Sequence, residues 1–180
     1  MHPLETPRLL LVPLRIDDAP TIQRVFPQWE IVRWLSDKVP WPYPEDGADV
    51  FLREIVLPAI TKGEAWHWSI RPKAQPDHLI GIISLTDQPD DNRGFWLDPA
   101  WQGQGLMTEA CAAVTDVWFV ALGKPTLRVP KASANLASRR ISEKQGMRVI
   151  ARFEQRLVSG VQEVELWEIG RDEWQAGRQR

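Results

Sequence analysis

The sequence predicts an α/β fold in the broad, α+β sense: a central twisted sheet of about six or seven strands, mixed but mostly antiparallel, flanked by helices. Three observations predict it. The chain is 180 residues long and 43% apolar, enough to bury the core of one domain without disulfides or metal. Its hydrophobic period switches from helical spacing to strand alternation and back. No linker, composition break or internal repeat divides it, so residues 1–180 are expected to form a single domain with its core at about 8–170.

Each element follows from local sequence. Arg8 to Leu14 (RLLLVPL) reads as a first strand, with Pro13 at an edge or bulge. Asp17 and Asp18 stand where a helix N-cap belongs, ahead of Ile22, Val25 and Phe26, and a short helix is expected from Trp29 to Leu35. The stretch VPWPYP, Val39 to Pro44, has three prolines in six residues and is a stiff loop. Val50, Phe51, Ile55 and Ile60 recur at helical spacing up to Lys62, with Pro58 expected to kink or end that helix. Ala65 to Ile70, Leu79 to Leu85 and Gly94 to Leu97 read as three consecutive strands. Met107 to Ala121 presents one apolar helical face, and Thr126 to Val129 is a strand after it. Asn135 to Gln145 is a helix stopped by Gly146, and Met147 to Phe153 and Val161 to Ile169 close the chain as a hairpin.

Charge narrows the function classes. With 22 basic and 24 acidic residues the net charge is −2, against the basic stripe that phosphate-neutralising nucleic-acid binders carry, so no nucleic acid is expected as a partner. Arg139 to Arg156 is the one locally basic stretch, with room for a small polyphosphate. A single cysteine, Cys111, excludes an intramolecular disulfide and a multi-cysteine zinc site, and three scattered histidines give no metal-ligand spacing, so no metal is expected. No apolar run reaches the roughly 18 residues of a membrane span and the N-terminus lacks a leader pattern, so a cytoplasmic protein without membrane association is expected. Ten Trp stand against one Tyr, Tyr43. Trp29, Trp34, Trp41 and Tyr43 are candidates for an aromatic wall around a substrate, or for packing in the core or against a second copy in a homodimer.

The most informative segment is Gly94 to Ala110, GFWLDPAWQGQGLMTEA. A strand ends at Leu97, Asp98-Pro99 turns the chain, and Gly103 and Gly105 stand at the mouth of the long helix. Glycines there let backbone N–H groups converge without side chains in the way, and the helix N-terminus adds unpaired donors, so a pyrophosphate can dock on backbone alone. The pattern completes neither standard nucleotide motif: Thr108 replaces the third Gly of a dinucleotide fingerprint, and no G-K-[ST] follows. On these residues alone, a glycine-eased loop is the alternative.

With its neighbours, the segment resembles the GCN5-related N-acetyltransferase (GNAT) superfamily, whose loop reads Gln/Arg-x-x-Gly-x-Gly/Ala. Gln102-Gly103-Gln104-Gly105-Leu106-Met107 matches it through Gly105. WLDPAWQGQGLMTEA is similar to the branch containing RimJ/RimL-type N-terminal acetyltransferases, and so is Asn135-Leu136-Ala137-Ser138 followed by Glu143-Lys144-Gln145-Gly146-Met147. The resemblance runs from TPRLLLVPL to VELWEI.

The resemblance implies acetyl transfer from acetyl-coenzyme A, as cosubstrate, to a primary amine by direct attack in a ternary complex. The amine would be a protein N-terminus, an amino acid or a small amine. It implies that backbone around Trp96, Leu97 and Asp98 binds the pantetheine arm. The loop from Gln102 through Gly103, Gln104, Gly105, Leu106 and Met107 to Thr108 would take the pyrophosphate. Asn135 and Ser138 would stand at the thioester end. Three departures accompany it: Met107 replaces the small last loop residue, Ser142 stands where a catalytic Tyr often aligns, and Asn92 where a Glu often does. A fold that binds coenzyme A and has lost turnover is therefore the alternative reading.

At about 100° per residue, Asn135, Ser138 and Ser142 share an arc of roughly 60° and are the catalytic candidates at the leaving sulfur. A proton acceptor for the amine is also needed. His67, between Trp66 and Trp68, is the first candidate, with Glu64 beside it; Asp87, Asp90 and Asp91 read as solvated turn residues. Trp34, Trp41 and Tyr43 are the acceptor-side candidates. Cys111 lies on the apolar helical face and reads as core.

Overall fold

The computed structural model describes residues 1–178. The first sheet consists of β1 (Leu4–Glu5), β2 (Leu9–Pro13), β3 (Ala65–Pro72), β4 (Gly81–Thr86) and β5 (Arg93–Leu97), in that order. The second consists of β6 (Thr126–Ala132), β7 (Arg148–Leu157) and β8 (Gly160–Gly170), with β8 in the middle. Every pairing is antiparallel. The expected single sheet is thus divided in two, because the strands flanking the crossover, β5 and β6, do not pair. Pro13 ends β2 beyond the two-residue reach of β1, where its missing N–H leaves no ladder bond unmade.

Strand alternation gives the first sheet two different faces. Leu9, Leu11, Trp68, Ile70, Ile83, Leu85 and Leu97 pack into the larger core with α5 (Leu106–Asp116), whose Leu106, Met107, Ala110, Cys111 and Val114 face them. Met107 therefore points into the core, as the apolar stripe predicts. A π-helical turn, Val117–Ala121, continues α5 and buries Trp118 and Phe119. On the opposite face Ile82 packs with Leu14, Ile22, Phe26, Leu52 and Val56. These last come from the N-terminal helices: α1 (Ala19–Val25), α2 (Trp29–Val32), α3 (Gly47–Val50) and α4 (Leu57–Lys62).

Pro58 acts one turn earlier than the sequence suggests. A π-helical stretch, Phe51–Val56, separates α3 from α4, so the hydrogen-bond register has already slipped before the residue that lacks an N–H. Two elements were not legible beforehand. β1 is only two residues long, and α7 (Arg171–Arg178) has one buried apolar side chain, Trp174, whose Nε1 donates to Asp116 Oδ1 at 2.8 Å. Neither carries a hydrophobic period. The remaining helix, α6 (Leu136–Lys144), lies between β6 and β7 in sequence.

Candidate active site

The site is built where the two sheets part. Asn92, just before β5, donates its N–H to Arg128 O at 2.8 Å and accepts Arg128 N–H on Oδ1 at 2.7 Å. Its side-chain amide also donates to Thr86 O and Gln88 O. Beyond this clasp no backbone hydrogen bond joins Gly94–Leu97 to β6 among the described residues. Asn92 O accepts from Thr86 N and Asp98 N donates to Ile80 O, so the residues between alternate: Gly94 and Trp96 bond to β4, whereas Arg93, Phe95 and Leu97 turn their backbone groups toward the opening. Leu97 O accepts from Gln102 Nε2 at 2.9 Å. Of the three residues expected to offer backbone there, Leu97 faces the gap, and the amide of Asp98 is committed to Ile80.

Asp98 instead shapes the turn. Its carboxylate accepts Ala100 N–H at 3.0 Å and caps the short 3-10 turn Pro99–Trp101. Gln102, Gly103, Gln104 and Gly105 are exposed, and the two glycines have φ of +76° and +77°. A Cβ would meet nothing within 4 Å at Gly103 and only the Arg8 guanidinium, at 3.7 Å, at Gly105. The left-handed backbone, not lack of space, demands glycine. α5 begins without a side-chain cap, so the N–H groups of Leu106, Met107 and Thr108 stand open at the positive end of the helix dipole. The side chains of Leu106 and Met107 are buried, leaving only backbone toward solvent.

Arg8, which the sequence places merely at a strand start, braces this loop. Its Nη1 donates to Gln104 O at 2.9 Å, and its Nε and backbone N–H donate to the Glu109 carboxylate at 2.7 and 2.8 Å. Thr6 Oγ1 donates to the same carboxylate at 2.5 Å. Burial raises the Glu109 pKa, but the hydrogen bonds from Thr6 and Arg8 and the Arg8 charge outweigh it, so the carboxyl is held below its usual range.

Asn135 and Ser138 meet at the start of α6. Asn135 Oδ1 caps the helix by accepting Ser138 N–H at 3.2 Å, which leaves its Nδ2 free to donate. Ser138 Oγ accepts from Lys131 Nζ at 2.7 Å. Lys131, on β6, is a residue that sequence reasoning missed, since a lone lysine in a strand gives no signal. Ser142 does not join them at a surface: it is wholly buried, and its Oγ has no partner.

The acceptor-side candidates divide into separate groups. On the helical face of the first sheet, Tyr43 packs edge-on to Phe26 at 5.0 Å, and Phe26 lies 5.3 Å from Trp96. Burial pushes the Tyr43 hydroxyl up to about 12. Trp41 pairs instead with Trp29 at 5.9 Å, both more than two-fifths exposed, and Trp34 lies under the Arg33 guanidinium. His67 is buried on the Tyr43 side, edge-on to Phe51, with Nδ1 unpartnered; burial lowers its pKa to about 4, so the imidazole is neutral at pH 7. Glu64 is exposed, Asp87 pairs with Lys124, and Asp90 pairs with Arg128. Cys111 is buried and burial raises its thiol pKa. Within the basic stretch, Arg139 and Arg152 both pair with Glu165. Among the described residues, no group of three or more His, Cys, Asp or Glu is placed to hold a metal, and no helix is long and apolar enough to cross a membrane.

Residues 8–148 match the family model described as "Acetyltransferase (GNAT) domain". The chain belongs to the GNAT family of acetyltransferases. This GNAT chain is 35% identical over 92 residues to the "Probable N-acetyltransferase YjcK" of Bacillus subtilis (strain 168), a match spanning about half of each protein: 48% of this chain and 50% of that one. Solved acetyltransferases share its fold at lower identity. The ribosomal-protein-S5-alanine acetyltransferase of Vibrio fischeri superposes with a TM-score of 0.79 at 19% identity, covering 96% of this chain and 98% of the other. RimL, a ribosomal L7/L12 α-N-protein acetyltransferase solved in complex with coenzyme A, gives 0.77 at 17% identity over 92% and 95%. RimJ of Mycobacterium smegmatis, solved with CoA-disulfide, gives 0.71 at 19% identity over 95% and 87%. The chain thus shares the fold of RimJ- and RimL-type enzymes.

Proposed function

We propose that this acetyltransferase moves an acetyl group from acetyl-coenzyme A to a primary amine by direct attack in a ternary complex. The observation that carries the reading is the gap between β5 and β6 opening beside the glycine loop at the uncapped start of α5. The residues present fit the cosubstrate: backbone of Phe95 and Leu97 faces the gap, and the amides of Gly103 to Thr108 offer converging donors without intruding side chains, the Gln102 N–H being committed to Pro99 O. When bound, acetyl-coenzyme A supplies the activated acyl group. Asn135 Nδ2 is free to orient the thioester end, and Ser138 Oγ stands beside it to donate a proton to the departing sulfur.

The amine enters from the face carrying Tyr43, Phe26 and Trp96. Its proton leaves to water, since the carboxylates Asp87 and Asp90 are held in ion pairs and His67 is a weak base. Free N-terminal amines of peptides head the acceptor classes, following the substrates for which the solved neighbours are named.

Isothermal titration with coenzyme A, then thiol release from acetyl-coenzyme A over peptide N-termini, amino acids and small amines, tests the reading. Binding with thiol release on at least one amine class is the expected result. No binding would overturn it. A second reading, a coenzyme A-binding module without turnover, rests on Ser142 and Asn92: both stand where family members often carry catalytic groups, and both are buried here, Asn92 in the clasp between sheets. Binding without release across the panel selects it.

A further inference from the structure

We propose that Lys131 is the proton reservoir behind Ser138, so that Lys131 and Ser138 together form the relay that neutralises the departing thiolate in place of a tyrosine. The proposal rests on the acetyl-transfer reading above. Lys131 Nζ donates to Ser138 Oγ at 2.7 Å, and the Ser138 hydroxyl proton has no other acceptor among the described residues. The direction of the chain is therefore fixed: lysine donates to serine, and serine is left to donate outward. Ser138 is only partly buried, whereas Lys131 is 6% exposed. The proton source lies inside and its outlet lies nearer the surface.

Burying a lysine without a carboxylate in salt-bridge contact is costly, which makes it unusual as a packing residue. The carboxylate facing Lys131 across the ladder, Glu165 on β8, is committed to Arg139 and Arg152. From β5, Arg93 adds a second buried cation, hydrogen-bonded to Thr115 Oγ1, while the Phe95 ring lies 4.9 Å from Nζ in a cation–π contact. From α5 comes the Cys111 thiol, kept neutral by burial, and from the turn before β5 the Asp91 carboxylate. Burial, then the field of Arg93, lowers the ammonium to about 7, with weaker opposing pulls from Cys111 and Asp91. A group near 7 gives up a proton readily to a thiolate whose conjugate acid ordinarily lies near 8.5 or above.

The step balances. The amine nitrogen forms a C–N bond with the acetyl carbon as the C–S bond breaks, and the electron pair of that bond goes to sulfur. Sulfur takes the Ser138 hydroxyl proton, Ser138 takes one from the Lys131 ammonium, and the amine releases one to water. Once the thiol product leaves, solvent restores the Lys131 proton through Ser138. Because Lys131 acts through Ser138, it is a positioning residue.

The test compares wild type with Lys131→Met, Lys131→Arg, Ser138→Ala and the Lys131→Met/Ser138→Ala double variant. Wild-type kcat is expected to fall as pH rises through about 7 on its alkaline limb. Lys131→Met should lower kcat by about 100-fold with coenzyme A affinity, read by isothermal titration, within about twofold. Lys131→Arg keeps charge and bulk but does not titrate, and should lose the same limb. The double variant should lose no more than the worse single one, as groups acting in one chain do. A readout independent of turnover is side-chain NMR of lysine-labelled, coenzyme-free protein. One ε-carbon should titrate near neutrality and vanish in Lys131→Arg. Wild-type kcat and pH profile in Lys131→Met, or no lysine titrating below about 9, would overturn the relay even if acetyl transfer holds. A wild type that binds no coenzyme A overturns the reading beneath it, and the relay falls with it.

Discussion

Gly105 and Glu109 show how single residues set the loop. Gly105 sits at φ +77° with only the Arg8 guanidinium near, in ordinary contact at 3.7 Å, so a side chain is accommodated but strained, and a carboxylate there would face the site proposed for pyrophosphate. Gly105→Glu is expected to abolish coenzyme A binding in isothermal titration while the protein still unfolds cooperatively; unchanged affinity would sink the pyrophosphate assignment. Glu109 poses an apparent contradiction, an anion in the first turn of the helix meant to receive phosphates. Arg8 resolves it by neutralising the carboxylate and holding Gln104 O, so the pair acts as a strut for the loop. Glu109→Gln keeps the shape but leaves the Arg8 charge uncompensated and its hydrogen bonds weaker. Because Arg8 is half exposed, the expected loss of stability is small, below about 1 kcal/mol in urea denaturation. Coenzyme A affinity is the sensitive readout and should change by several-fold; an affinity identical to wild type would remove the strut from the account.

At the scale of elements, the division of the sheet is the decisive feature, and Asn92 holds its closed end. Two strands joined by a helical crossover would ordinarily lie side by side and pair. Here, among the described residues, the backbone beside β5 is hydrogen-bonded to β6 only through Asn92 and Arg128. Asn92→Ala removes the acceptor of the Arg128 N–H at a 4% exposed position, and should cost about 1–3 kcal/mol of unfolding free energy. An Asn92→Ala protein as stable as wild type would show that the clasp is held by other contacts. The role of Asn92 also accounts for the missing carboxylate: a Glu has no amide protons for Thr86 O and Gln88 O. Likewise α6 is anchored by Asn135 as its N-cap, which ties the orientation of that side chain to the position of Ser138.

For the whole molecule, two buried basic groups tie stability to pH. His67 has a folded-state pKa of about 4 against 6.5 when unfolded, so the unfolded chain takes up the proton first. Its contribution is full above about 6.5, is lost as pH falls toward 4, and is of the order of 3 kcal/mol. Lys131 acts in the same direction in a higher window, with stability rising as pH climbs from about 7 toward 10.5. Urea denaturation across these ranges should show both slopes, with the lower one reduced in His67→Gln and the upper one absent in Lys131→Met. Equal slopes in variant and wild type would mean that neither group is held neutral by the fold.

The strands, the long crossover helix and the glycine loop were legible in the sequence, because each is written in local terms: alternation, a 3.6-residue stripe, and glycines between a turn and a helix. The inward direction of Met107 was legible for the same reason, whereas the N-cap role of Asn135 was not read. α7 and β1 were not, since a segment with one buried side chain or two paired residues has no period to read. The aromatic wall failed as a single surface because Trp34, Trp41 and Tyr43, though close in sequence, find different partners in Arg33, Trp29 and Phe26. Sequence by itself determined the order of elements and where backbone donors converge. Only the tertiary structure decided that Lys131 lies against Ser138, that Arg8 reaches the loop across 96 residues of chain, and that Asn92 bridges two sheets. Those pairings join residues distant in sequence, and burial and charge at such meetings are properties of the packed molecule, with no local pattern to announce them.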